Sequence, residues 1–157
     1  MSWLFWAPLA AASLHLFEEF VFPGEFATWY RGYAAGRRAS ITTRFLVTVN
    51  VLLLIVCYDI GVLGPTPAGV ALWLTVMALL AANAGWHVAA AARSRSYSPG
   101  LVTGLALYAP LAAYGYARFL SSGQASIPTA SLAFAIGASY QLWSNAFHRW
   151  RARRARA

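Results

Sequence analysis

The chain has 157 residues, of which 60% are hydrophobic and only 10% charged; it carries twelve arginines, no lysine, four acids and a formal net charge of +8. Soluble domains carry about 25% charged residues, so this composition excludes an ordinary hydrated surface and predicts one membrane-embedded domain over 1–150 with a basic cytoplasmic tail over 151–157. The positive charge does not predict a nucleic-acid partner: the arginines lie in short connections and at the C-terminus, where a membrane protein marks its cytoplasmic side and meets anionic lipid headgroups.

Five apolar spans follow in chain order, over roughly 3–22, 42–62, 68–92, 99–120 and 127–147, each near the ~20 residues that cross a bilayer. The first has no basic region before it, so it reads as a retained helix and not as a cleaved signal. It stops at Pro23-Gly24, and the connection behind it holds Arg31, Arg37, Arg38 and Arg44. The second holds Cys57, a lone cysteine that reads as a small packing residue, and ends in an arginine-free connection. Arg93 and Arg95 follow the third span. In the fourth, Pro110 predicts a kink that neighbouring helices tolerate. The fifth leads into Arg149, Arg151, Arg153, Arg154 and Arg156. The alternation of arginine-rich and arginine-poor connections predicts an all-α, polytopic bundle of five transmembrane helices in the inner membrane, N-terminus out and C-terminus in. Trp29, Tyr30 and Trp150 then fall at the cytoplasmic interface.

The polar residues inside these spans need a reason, because an acid or base near the centre of a spanning helix costs about 2.5–3.5 kcal/mol on insertion scales. In the first span, "HLFEE" places His15, Glu18 and Glu19 on one arc of ~100°, counting ~100° per residue. In the third, Asn83 and His87 are four apart and share a face. In the fifth, Gln141, Asn145 and His148 follow at i, i+4 and i+7, with His148 close enough to the tail to read as interfacial. Asn50 adds a polar group to the second. All of these lie in the cytoplasmic halves of their spans, whereas the outer halves hold only Asp59. Packing hydrogen bonds formed independently need not agree in depth. A shared polar cavity makes them agree, with His15, Glu18, Glu19, Asn83 and His87 as its catalytic set and Asn50, Trp86, Tyr108, Gln141 and Asn145 as its lining.

His15–Glu19 resembles the His-x-x-Glu-Glu signature of the HXXEE family of small bacterial membrane proteins. The pair Asn83 and His87, and the stretch "YSPGLVTGLALYAP" with Tyr97, Pro99, Gly100, Thr103, Tyr108 and Pro110, are similar as well. The family is largely uncharacterised, so the resemblance implies a site and no reaction.

Three kinds of chemistry suit such a pocket. Buried carboxyl and imidazole groups shift toward neutral pKa values and serve acid–base catalysis, for example isomerisation or cyclisation of an isoprenoid or other hydrophobic lipid, with Trp86, Trp143, Tyr108 and Tyr140 facing a cationic intermediate. Alternatively, His15, His87 and Glu18 or Glu19 supply a first shell for a single divalent metal, zinc or iron. A dinuclear centre needs more carboxylates than the chain has. The third option is proton or solute transport, or a scaffold subunit; the lack of an internal repeat gives alternating access little support. The expected partners are membrane lipids and a hydrophobic small-molecule substrate.

Overall fold

The computed structural model describes residues 2–154, and residues 37–39 by their backbone alone. Every regular element among the described residues is helical. Helix α1 runs Trp3–Phe20, α2 Phe26–Tyr33, and a 3-10 segment Ala35–Ser40 leads to α3, Thr43–Leu63. Helix α4 spans Pro67–Ser94; α5 is the single turn Leu101–Thr103, which continues through a π turn, Gly104–Tyr108, into α6, Ala109–Ser121. Helix α7 spans Ile127–Arg154. Two of these, α3 and α4, are long and apolar enough to cross a membrane. Helix α1 carries three polar residues near its end, the 101–121 run is broken by the π turn, and α7 ends in arginines.

Helix α4 is the hub and packs against α7, α6, α3 and α1. Trp73, Met77, Leu80, Ala84 and His87 are all buried, and their i, i+4, i+7, i+11, i+14 spacing keeps them on one stripe. His87 is thus the end of the core stripe itself. Small residues set the helix separations, as is usual where backbones approach closely in membrane bundles. A Cβ at Gly115 would lie 1.8 Å from the Trp73 ring, and one at Gly137 would lie 2.1 Å from the Thr75 carbonyl of α4. The Trp73 indole N–H donates to the Leu4 carbonyl at 2.8 Å and ties α4 to α1.

Thr42 and Thr66 cap α3 and α4 through their hydroxyls, which accept from the amides of Phe45 and Gly69. The disturbance around Pro110 takes the form of a π turn: the Ala109 amide reaches back five residues to the Gly104 carbonyl. Proline has no N–H to offer the carbonyl four residues back, and the wider turn absorbs that mismatch. Two sequence expectations are corrected here. The connection after α1 is not a bare loop, because Phe26 and Tyr30 pack α2 onto the end of the bundle with Ile41 and Leu46. The basic tail does not begin as a separate segment at 151, because α7 stays helical through Arg154, where Arg151 stacks on Phe45 and Phe147, and Arg154 on Trp150. Arg156 lies outside the described residues.

Candidate functional site

Helix α1 delivers His15, Glu18 and Glu19, and all three are buried. The two carboxylates serve different ends. Glu18 turns to the loop between α4 and α5. Its Oε1 accepts from the Tyr97 hydroxyl and from the amides of Gly100 and Val102, both at 3.0 Å. Its Oε2 accepts from the Thr103 amide at 2.7 Å and from the Thr103 hydroxyl. These amides are the free donors at the start of the α5–α6 run, and an anion is stabilised there by both the donors and the helix dipole. Burial, followed by the hydrogen bond to Glu18, pushes the Tyr97 phenol up from its ordinary pKa, so it stays a donor. The expectation that Glu18 shares the catalytic or metal-binding set is therefore corrected: five donors already occupy its two oxygens.

Glu19 has no such donors. Its Oε1 lies 3.4 Å from His15 Nε2 and 3.3 Å from His87 Nε2. The two imidazole rings sit edge to face with centroids 5.2 Å apart. One ligand atom from each of His15, Glu19 and His87 falls within 4.8 Å of the others. The far nitrogens are tied to hydroxyls: His15 Nδ1 to Thr103 Oγ1 and His87 Nδ1 to Ser98 Oγ, both at 2.9 Å.

The Thr103 bond fixes a tautomer. A hydroxyl has one proton, and Thr103 gives it to Glu18. Thr103 Oγ1 therefore accepts from His15, so the proton of the neutral ring is on Nδ1. His15 Nε2 is then an acceptor: the Asn83 amide donates to it at 3.3 Å, and the Glu19 oxygen lies 3.4 Å away. His87 Nε2 is fully buried and has no hydrogen-bond partner among the described residues. The Tyr108 hydroxyl is in the same position, and its ring lies 4.6 Å from that of His15.

Gly100 allows the convergence. It adopts φ +96°, a conformation open to glycine at little cost, and a Cβ there would meet His15 Cε1 and His87 Cε1 at 2.7 Å and His87 Nε2 at 2.9 Å. On the far side, Trp86 and Phe26 wall off the His87 ring, with centroids 5.0 and 5.8 Å away.

His15 and Glu19 open onto a small cavity of about 110 Å³. Of the residues expected to line it, Asn50, Asn83, Trp86, Tyr108 and Gln141 do so. The Gln141 amide donates to Asn83 Oδ1 at 3.3 Å and so orients the group beside His15. Asn145 does not join. Its amide donates back to the Gln141 carbonyl at 2.6 Å, and its side chain lies in a different cleft, with Arg93, Arg149 and Arg153. The helical stripe expected over Gln141, Asn145 and His148 is thus split, because α4 lies between the two faces of α7. His148 is buried at the cavity edge and bonded to Ser40 Oγ at 2.8 Å.

Sequence reasoning missed the parts that hold the imidazoles, namely Ser98 and Thr103 as hydroxyl partners and Phe26 as a wall. Short hydroxyl residues in a turn give no periodic signal. The stretch around Gly100 and Thr103 was marked only by its resemblance.

The fold and site define an all-helical bundle with a buried His/His/Glu cluster at the end of its core stripe. Residues 6–115 match the family described as "Protein of unknown function with HXXEE motif", and the chain belongs to that family. The match takes in all of the cluster and its supporting loop, from His15 to Tyr108, and leaves α7 outside. No curated protein and no solved structure matches the chain.

Proposed function

We propose that this chain is a multi-pass inner-membrane metalloenzyme in which His15, Glu19 and His87 hold one divalent ion, zinc or iron, for chemistry on a hydrophobic substrate. One observation carries the reading: the separations of 3.3 and 3.4 Å between the Glu19 oxygen and the two Nε2 atoms. Charge-assisted N–H···O bonds close to about 2.7–2.9 Å, so these contacts lie within ion-pair reach but are longer than such bonds. Donors at about 2.0–2.1 Å from a tetrahedral ion stand about 3.3–3.4 Å apart. Two edges of such a site have that length, and all three ligand atoms lie within 4.8 Å of one another.

The tautomer argument points the same way. Ligating histidines usually donate their other N–H to an oxygen that fixes the ring, and Thr103 and Ser98 are placed for this. An ion held between Glu19 and the two Nε2 atoms would give the His87 nitrogen, which has no hydrogen-bond partner among the described residues, a partner. Two histidines and one carboxylate leave open positions on zinc or ferrous iron. A divalent ion there supplies Lewis acidity toward a bound oxygen. The chain's own groups orient the substrate: Asn83, held by Gln141, and the unpartnered Tyr108 hydroxyl, a ready donor to that oxygen.

A second reading, proton transfer without a metal, draws on the same Tyr108 hydroxyl and on the Glu19 carboxylate between two imidazoles. Elemental analysis of protein purified without chelator separates the two. The metal reading expects close to one zinc or iron per chain, lost in His15→Ala, Glu19→Ala and His87→Ala. Metal-free wild-type protein that still binds none on titration with zinc or ferrous iron refutes it.

Five crossings are part of the proposal, made by α1, α3, α4, the α5–α6 run and α7. Apolar side chains such as Leu14, Phe17, Val51, Ile55, Leu132 and Ile136 are exposed on them, as lipid-facing residues are. Reporter fusions at residues 65 and 123 should read outside and a C-terminal fusion inside; a cytoplasmic residue 65 overturns the topology.

A further inference from the structure

The small polar cavity does not end at its polar walls. Between α3 and α7 runs a second cavity of about 380 Å³, within the range of small-molecule sites. Phe45, Asn50, Tyr140 and Ser144 line both, so the two spaces adjoin across these side chains. Helix α3 packs on α1 and α4 and meets α7 through Phe45, whose ring touches Phe147, His148 and Arg151; beyond that end the groove lies between the two helices. Leu52, Val56, Val76, Trp143 and Phe147 complete its wall. Residues 49–56 of α3 and 140–147 of α7 each run about 10 Å along the helix axis, at ~1.5 Å per residue. The groove thus lies parallel to the lipid tails, with its mouth at exposed Leu52 and Trp143.

Charge narrows the occupant. Among the described lining residues of both cavities there is no arginine, and Glu19 is the one acid. The free cations gather instead around the separate cleft of Arg93, Arg149 and Arg153. In protein stripped of metal, a phosphate or carboxylate head would enter the polar cavity with no arginine to meet it, at a large desolvation cost. An uncharged oxygen meets Tyr108, Asn83 and Gln141.

We infer that the substrate is a single-chain amphiphile with a small uncharged oxygen head, an alcohol or aldehyde, that enters sideways from the lipid between α3 and α7 and sets its head beside His15 and Glu19. This rests on the functional reading of the His/Glu centre and names its substrate class. The groove holds the first part of the chain, and the remainder stays among the lipid tails.

The test uses full-length protein in phosphatidylcholine nanodiscs and a dodecanol analogue bearing a photoreactive diazirine in mid-chain, with metal content measured on the same samples. The expected label falls on residues 49–56 of α3 and 143–147 of α7. In chelator-treated protein, dodecanol should compete about tenfold or more better than dodecanoate or dodecyl phosphate, because there only the charged heads lose hydration uncompensated. Two plugs, Val56→Trp and Leu52→Trp, should cut labelling of the groove several-fold without changing metal content, whereas Phe134→Trp, on an exposed stretch of α7, should not. Leu52 is exposed, so that variant folds even if Val56→Trp does not. Label spread evenly over lipid-facing positions such as Leu14 and Ile136, indifference to both plugs, or equal competition by the charged amphiphiles overturns the inference. Groove labelling in protein that binds no metal upholds the inference and removes the metal; a metal-loaded protein with scattered label does the reverse.

Discussion

Substituting the two adjacent glutamates separately should give opposite phenotypes. Glu18→Gln keeps volume but turns one acceptor oxygen into an N–H₂ donor. If the amide oxygen takes the Oε1 position, the Thr103 amide is left facing a donor; if it takes Oε2, the Tyr97 hydroxyl and the amides of Gly100 and Val102 are. The cheaper arrangement strands one buried amide, at about 1–3 kcal/mol, and gives up the anion at a helix start, at about 1–2 kcal/mol when partly buried. The expected loss is about 3 kcal/mol, or roughly 6–12 °C in melting temperature for a chain of this size. Metal affinity should fall about 10–100-fold as well, because Thr103 orients His15. Glu19→Gln strands no amide. It should melt within about 1 kcal/mol of wild type in chelator, yet lose the bound ion. The assay is thermal unfolding in nanodiscs with chelator, paired with metal analysis of untreated protein. A wild-type melt for Glu18→Gln, or full metal content in Glu19→Gln, refutes the division of labour between the two carboxylates.

Gly100→Ala should abolish metal binding while the apolar bundle persists, since its methyl group collides with both imidazoles; metal titration followed by intrinsic fluorescence reads this. Zinc at about 100 times its dissociation constant should stabilise the wild type by about 2.7 kcal/mol, and His87→Ala should show no such shift in the same melts. For Tyr97, the folded pKa lies above the unfolded value, so the folded state holds the proton more tightly. Its contribution is complete below about pH 10, the unfolded value, and is lost as pH rises beyond it. Tyr97→Phe should therefore lower stability at pH 8 by about 1–2 kcal/mol and flatten the loss above pH 10 in melts recorded across that range.

The helices were legible because apolar runs bounded by Pro, Gly and arginine leave little choice of element. The start of α3 at Thr43 and the end of the α5–α6 run at Ser121 fall within a residue of the boundaries read from sequence. The juxtaposition of His15 with His87 was legible in depth, since costly groups on different helices agreed in height. What stayed hidden was direction. Glu18 and Glu19 differ by one residue and occupy the same arc on a helical projection, but one faces the α5 amides and the other the imidazoles. That choice is made by a loop some 80 residues away, and periodicity within α1 carries no trace of it. Asn145 failed for a related reason: a shared stripe on α7 says nothing about where α4 will divide it. The short helix α2 was concealed by its length and its arginine, which read as a connection.

The bond between Glu18 and Thr103 spans 85 residues of sequence, and that distance has a meaning in time. At about 5–20 residues per second of synthesis, roughly 4–17 s separate the emergence of Glu18 from that of the residue that completes its cap. Throughout that interval the donors that pair Glu18 are missing, whereas Glu19 has His15 within reach on its own helix. Glu18 of α1 therefore lacks its partners until α5 is made. The loop that pairs Glu18 also carries Thr103 and Ser98, the hydroxyls bonded to His15 and His87, so one late-made connection serves both the carboxylate and the two imidazoles.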